Sequence, residues 1–102
     1  MDRLAMLIEI LNQNPSDAFA RYGLAMEYSK AGQTEQALGE FKKLLELHPD
    51  YTNGYFMAAQ ALAKVERFDE AKALLQTGIA SARSTGNQHA LSEMTAMLDE
   101  LE

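Results

Sequence analysis

Cysteine is absent from the 102-residue chain, and proline occurs only twice. Without cysteine there is no disulfide framework, no thiolate metal cluster and no thiol redox chemistry, so stability must come from packing alone. Basic residues are scarce as well: nine Lys and Arg stand against fifteen Asp and Glu, for a net charge of -6. The imbalance sits at the two ends. Residues 1–17 carry three acids and one base, residues 86–102 carry four acids and no base, and no segment between them is basic. A nucleic-acid binder gains most of its affinity by neutralising phosphates with Lys and Arg, and an anionic membrane surface attracts the same side chains. Neither partner is expected. Long apolar runs are also missing. The stretch after Met1-Asp2-Arg3 is cut by Glu9 after five residues, too short for a secretory core or a membrane span. A cytoplasmic location is the default expectation.

Catalytic signatures are equally lacking. His48 and His89 lie far apart and outside any HExxH or metal-ligand spacing. Both read as solvated or capping histidines. There is no Gly-rich phosphate loop, no GxSxG elbow and no calcium loop, so no cofactor, no metal site and no enzyme activity are expected.

The chain does have apolar content: 47% of residues are hydrophobic, without a low-complexity tract, which suits one compact folded unit. Apolar residues recur at three- and four-residue spacing, as in Leu4, Leu7, Ile8, Leu11 and in Leu38, Phe41, Leu44, Leu45, and strict alternation is missing. Turn signals fall at Asn14-Pro15-Ser16, Ala31-Gly32-Gln33, His48-Pro49-Asp50, Glu66-Arg67 and Ser84-Thr85-Gly86-Asn87. They divide the chain into six predicted helices at 2–13, 17–30, 34–47, 51–64, 68–82 and 88–101. Ser16, Asp50 and Asp69 are the candidate N-caps, and Gly32 suits the left-handed position that closes the second helix.

Pro15 and Pro49 are separated by 34 residues, and the stretches that precede them align from Leu7 and from Phe41. At the same spacing Leu24-Ala25 recurs as Ala58-Ala59, Tyr28 as Leu62, Ala37 as Ala71, Phe41 as Leu75 and Leu45 as Ile79. A helix-turn-helix unit of this period, with small residues at the crossings and larger ones beside them, resembles the tetratricopeptide repeat. The resemblance implies an all-α stack of antiparallel helix hairpins, an α-solenoid. It divides the chain into a half-repeat helix over 1–17, repeats over 18–51 and 52–85, and a capping helix over 86–102. Ala25, Ala37, Ala59 and Ala71 would then let helices approach, with Tyr28, Phe41, Leu62 and Leu75 filling the space beside them.

Four positions depart from the family pattern. Arg21 stands where a large apolar residue is usual. Glu66 replaces the turn glycine, at a cost of about 1 kcal/mol if the backbone keeps a positive φ. Gly78 falls inside the fifth helix, where it makes room for a bulky neighbour. Arg83 replaces the repeat-ending proline, and the last helix fits only if 36 residues, not 34, separate it from the fourth. With that shift Leu91, Met94, Leu98 and Leu101 point inward, while Glu93, Asp99, Glu100 and Glu102 stay in water.

What the resemblance implies about function is a scaffold that binds a protein or peptide partner in the concave surface formed by the first helix of each pair. The family's groove-facing positions here include Phe19, Tyr22, Met26, Asn53, Phe56 and Gln60, with Met57 beside them; His89, Ser92 and Ala96 would extend the surface. The family's clamp for acidic chaperone tails needs Lys and Asn where this chain has Tyr22 and Met26, so that role is not expected. Flexible methionines with flat aromatics suit an apolar or amphipathic segment. Two alternatives stand beside this reading. Several of these side chains could be inter-helix core, and the chain could serve as a homodimerisation module that buries Leu4, Leu7, Ile8 and Leu11 against a second copy.

Overall fold

The computed structural model describes residues 2–102. Six helices and no strand occur among them: α1 (Arg3–Gln13), α2 (Ala18–Lys30), α3 (Thr34–Leu47), α4 (Thr52–Lys64), α5 (Phe68–Thr85) and α6 (Gln88–Leu101). Each helix packs on the next through a short turn, giving sequential antiparallel pairs. None of these helices is long and apolar enough to cross a membrane.

The period is visible in the helix starts. Ala18 and Thr52 open α2 and α4 one 34-residue unit apart, as do Thr34 and Phe68 for α3 and α5, whereas Gln88 opens α6 two residues late. The delay follows from Arg83. With no proline there, α5 runs to Thr85, three residues beyond the expected end, and closes on Gly86 in the left-handed region at φ 73°.

Capping differs from expectation in detail. Asp17, not Ser16, caps α2, its carboxylate accepting from the Ala20 amide at 2.9 Å. The Ser16 hydroxyl instead donates to Asn14 Oδ1. Tyr51 and Arg67 hold the N-cap positions of α4 and α5 and make no side-chain capping bond. Asp50 turns its carbonyl to the Thr52 amide, and Asp69 lies inside the first turn of α5, where its charge still meets the positive end of the helix dipole. Asp2 and Asn87 cap α1 and α6.

The turns after α2 and α4 share one geometry. The Gln33 amide donates to the Tyr28 carbonyl and the Arg67 amide to the Leu62 carbonyl, each at 2.9 Å, across a left-handed residue. That residue is Gly32 in the first turn, at φ 77°, and Glu66 in the second, at φ 63°.

The core runs through the stack in three layers. Leu7, Leu11, Ala20 and Leu24 hold α1 on α2. Ala25, Ala37, Phe41, Leu44 and Ala58 form the middle layer, and Tyr55, Leu62, Leu75, Ile79 and Met94 dominate the last. Ala25, Ala37, Ala59 and Ala71 are fully buried, as helix crossings require. At Gly78 the fifth helix meets two bulky neighbours: a Cβ there would lie 2.6 Å from both Tyr55 Cβ and Met94 Sδ. Leu91, Leu98 and Leu101 pack with Met94 on this layer, leaving Asp99, Glu100 and Glu102 in water, whereas Glu93 is half-buried because it faces α4.

The helix strip proposed for self-association is largely spent inside the chain. Leu7 and Leu11 are buried against α2 and Leu4 packs with them, because α1 has only α2 to cover its most apolar face. Of the four residues only Ile8 is exposed, on one flank of the buried strip, and Met6 and Ile10, one turn apart, are exposed on the other flank.

Candidate groove of the α2, α4 and α6 face

The backbone of α2 approaches that of α4, and α4 that of α6, whereas the backbones of α3 and α5 stay apart. The stack therefore closes on the side of α2, α4 and α6 and opens on the other, which makes the first helix of each pair the inner surface.

On that surface the seven anticipated residues fall into two sets. Phe19, Asn53 and Gln60 are exposed, Phe19 to 72% of its area. Tyr22, Met26, Phe56 and Met57 are half-buried: Tyr22, Met26 and Met57 lean on the middle core layer and Phe56 on the last. Each of these four packs one edge on the core and leaves the other accessible.

Tyr22 is the fixed point of the surface. Its ring meets Phe41 edge-on at 6.4 Å and Tyr51 at 5.3 Å, and its hydroxyl accepts from the Asn53 amide at 2.8 Å, tying α2 to α4. Burial first, and the neighbouring Tyr51 second, hold the Tyr22 hydroxyl above the usual tyrosine value; burial and then the Asp17 carboxylate do the same for Tyr51. Both rings stay neutral donors or acceptors at ordinary pH.

Between α4 and α6 lies a hollow of about 290 Å³ lined by Phe56, Gln60, Glu93, Ala96, Met97 and Glu100. It brings Phe56 and Gln60 together with Ala96, but His89 and Ser92 do not line it. Glu93, Met97 and Glu100 also line it: Glu100 is exposed as expected, whereas Glu93, read as solvent-facing, and Met97, not singled out in the sequence, are half-buried. The two-residue shift of α6 was the available signal, since it sets Met97 beside the α4 wall. Phe19 stands apart from the hollow, at the start of α2.

The outer side carries a larger space than this hollow, a cleft of about 720 Å³ between α3 and α5. Its floor is Phe41, Tyr55, Ala58 and Leu62, and Arg67 sits at its rim. Arg67 donates to Glu35 at 2.7 Å and to Glu70 at 2.6 Å. These hydrogen bonds raise the Arg67 value and lower that of Glu70. The pairing joins α5 to α3 across the cleft mouth.

The histidines divide. His48 Nε2 donates to the Ser16 carbonyl at 2.8 Å and ties two turns together, while His89 is exposed beside Glu93. Among the described residues no three His, Cys, Asp or Glu converge as a metal site.

A stack of antiparallel helix hairpins with a 34-residue period and its inner face on the first helix of each pair defines a helical repeat protein. The tetratricopeptide repeat family model matches residues 28–94, and the chain belongs to that family. It is 28% identical over 96 residues to a tetratricopeptide-repeat-containing protein of Pseudomonas aeruginosa, covering 94% of this chain and 91% of that one. The solution structure of a tetratricopeptide repeat domain protein from Salinibacter ruber matches at 35% identity with a TM-score of 0.82, over 87% of this chain and 90% of that one. The fold is shared with the TPR2B domain of yeast Sti1, at 18% identity, a TM-score of 0.89 and coverage of 96% and 78%. Tetratricopeptide domains are protein-interaction modules and are generally non-catalytic.

Proposed function

We propose that the chain is a protein-interaction scaffold whose inner face takes an apolar or amphipathic segment of a partner protein. The observation that carries this reading is Phe19. An aromatic ring exposed to 72% of its area at the head of a stripe with Tyr22 and Met26 has no role in the core, and Phe56 leaves a second partly exposed ring on α4. Exposed aromatic and methionine side chains on one rigid face are what partner recognition uses. Two proteins of the same fold are consistent with a protein partner, since the Sti1 TPR2B domain forms a complex with pHsp70 and PcrH forms one with the chaperone-binding region of PopD; the apolar character of the segment rests on the side chains above. The same reading divides the chain into the half-repeat, the two repeats and the capping helix laid out above.

A photo-crosslinking amino acid at Phe19 or Gln60 tests this in the native cell, with Gln76 on α5 as the outer control. Crosslinks to one discrete protein from the two inner positions, and none from Gln76, are expected. Crosslinking from Gln76 alone would assign recognition to the other side.

A second reading is favoured by Met6, Ile8 and Ile10, which leave α1 apolar beyond the face it buries. These two flanks favour self-association, and sedimentation of an Ile8→Lys, Ile10→Lys variant beside the parent chain checks it.

A further inference from the structure

We infer that the α4–α6 half of the inner face selects a basic apolar segment, in which Lys or Arg flanks a large apolar side chain; the inference rests on the groove reading above. The hollow has an apolar floor of Phe56, Ala96 and Met97, and its charged lining residues are Glu93 and Glu100 alone. No Lys or Arg lines it. Among the described residues neither carboxylate has a Lys or Arg partner: Glu93 lies 3.3 Å from His89, which is a cation only when protonated, and Glu100 forms no ion pair. Lys64, one turn beyond Gln60 on α4, pairs with neither.

Among the described residues Lys or Arg neutralises only Glu27, Glu35, Glu40 and Glu70, so what sets Glu93 and Glu100 apart from the other unpaired acids is that both border one apolar hollow. Two unneutralised carboxylates at the edge of an apolar hollow fit a side chain with an aliphatic stem and a cationic head, since the stem covers the floor while the head reaches the rim. The net charge of -6 and the four acids without a base over 86–102 act in the same direction, drawing a cationic segment in and opposing an acidic one.

Two synthetic helical peptides serve as probes, one of leucine and lysine and one of leucine and glutamate in the same spacing, titrated into the full chain with methyl and aromatic resonances observed. The lysine peptide is expected to bind, to shift the Phe56 and Met97 signals, and to weaken roughly tenfold in Glu93→Gln, Glu100→Gln, in line with the loss of two partly exposed charge pairs. Glu9→Gln, Glu46→Gln carries the same change in net charge away from the hollow and should leave affinity within about twofold. Thermal melts confirm that both variants fold.

The inference is overturned by no binding of the lysine peptide, by equal binding of the glutamate peptide, or by equal weakening in the control pair, which would mark unspecific attraction. Equal binding of both peptides at Phe56 and Tyr22 would remove the charge selectivity and leave the groove. Shifts confined to the α3–α5 cleft, where Glu46 lies, would remove both.

Discussion

Arg21 and Tyr55 are chemically unlike, yet they perform one task one repeat apart. Arg21 Nη2 donates to the Pro15 carbonyl at 2.8 Å, and the Tyr55 hydroxyl donates to the Pro49 carbonyl at 2.9 Å. Each ties the inner helix to the proline turn that precedes it. Arg21 also donates to Glu40 at 2.7 Å, which is how a guanidinium is tolerated at 7% exposure, although its Nε is left without a partner.

Removing the two ties should have unequal effects. Tyr55→Phe should cost about 0.5–1 kcal/mol, because the Ser81 hydroxyl also donates to the Pro49 carbonyl. Arg21→Leu loses two charged or carbonyl partners and should cost about 1.5–3 kcal/mol. Urea midpoints of the two variants check the order.

Two helical glycines should respond to alanine with opposite signs. A Cβ at Gly39 meets nothing within 4 Å, so Gly39→Ala should gain about 0.5–1 kcal/mol of helix propensity. At Gly78 the same gain competes with contacts of 2.6 Å to Tyr55 Cβ and Met94 Sδ. Met94 can yield, but Tyr55 Cβ is fixed to its backbone. Gly78→Ala should therefore lower stability, by about 1–3 kcal/mol. Parallel thermal melts decide whether that clash outweighs propensity.

Glu66 holds the left-handed turn that Gly32 holds one repeat earlier. Glu66→Gly should raise stability by up to about 1 kcal/mol, and Gly32→Ala should lower it by a similar amount. A loss of stability in Glu66→Gly would mean that the carboxylate contributes more than the backbone strain costs.

Tyr22, Tyr51 and Tyr55 all have hydroxyl values raised above 10.0, chiefly by burial. The folded state therefore favours the neutral phenol. That contribution is fully present below the unfolded value and is lost as pH rises through the higher folded values. Stability should fall above about pH 10, and less steeply in Tyr22→Phe. Denaturant midpoints across that range measure it.

The helices and their order were legible because the apolar spacing is continuous from Leu4 to Leu98 and each break carries a turn signal. The caps were less so. Ser16 and Asp17 can both accept a hydrogen bond, and only the backbone path decides which one stands outside the helix. The inner face was legible in part: Phe19 and Gln60 are exposed where the family pattern sets them, while the half-burial of Tyr22 and Met57 depends on how closely α2 and α4 approach. Glu93 and Glu100 look like solvent-facing acids in any one-dimensional reading. They border a hollow only through the way α6 lies against α4.

Arg83 sets the angular phase of the final layer. Two additional residues turn the side chains of a helix by about 200°, close to half a revolution. Under a strict 34-residue count Ser92 would take the place that corresponds to Ala58, whereas Met94 occupies it, fully buried. A fixed-period alignment of this chain would thus invert α6, assigning its solvent side to the core. The length of α5 decides which side of the last helix a ligand can meet.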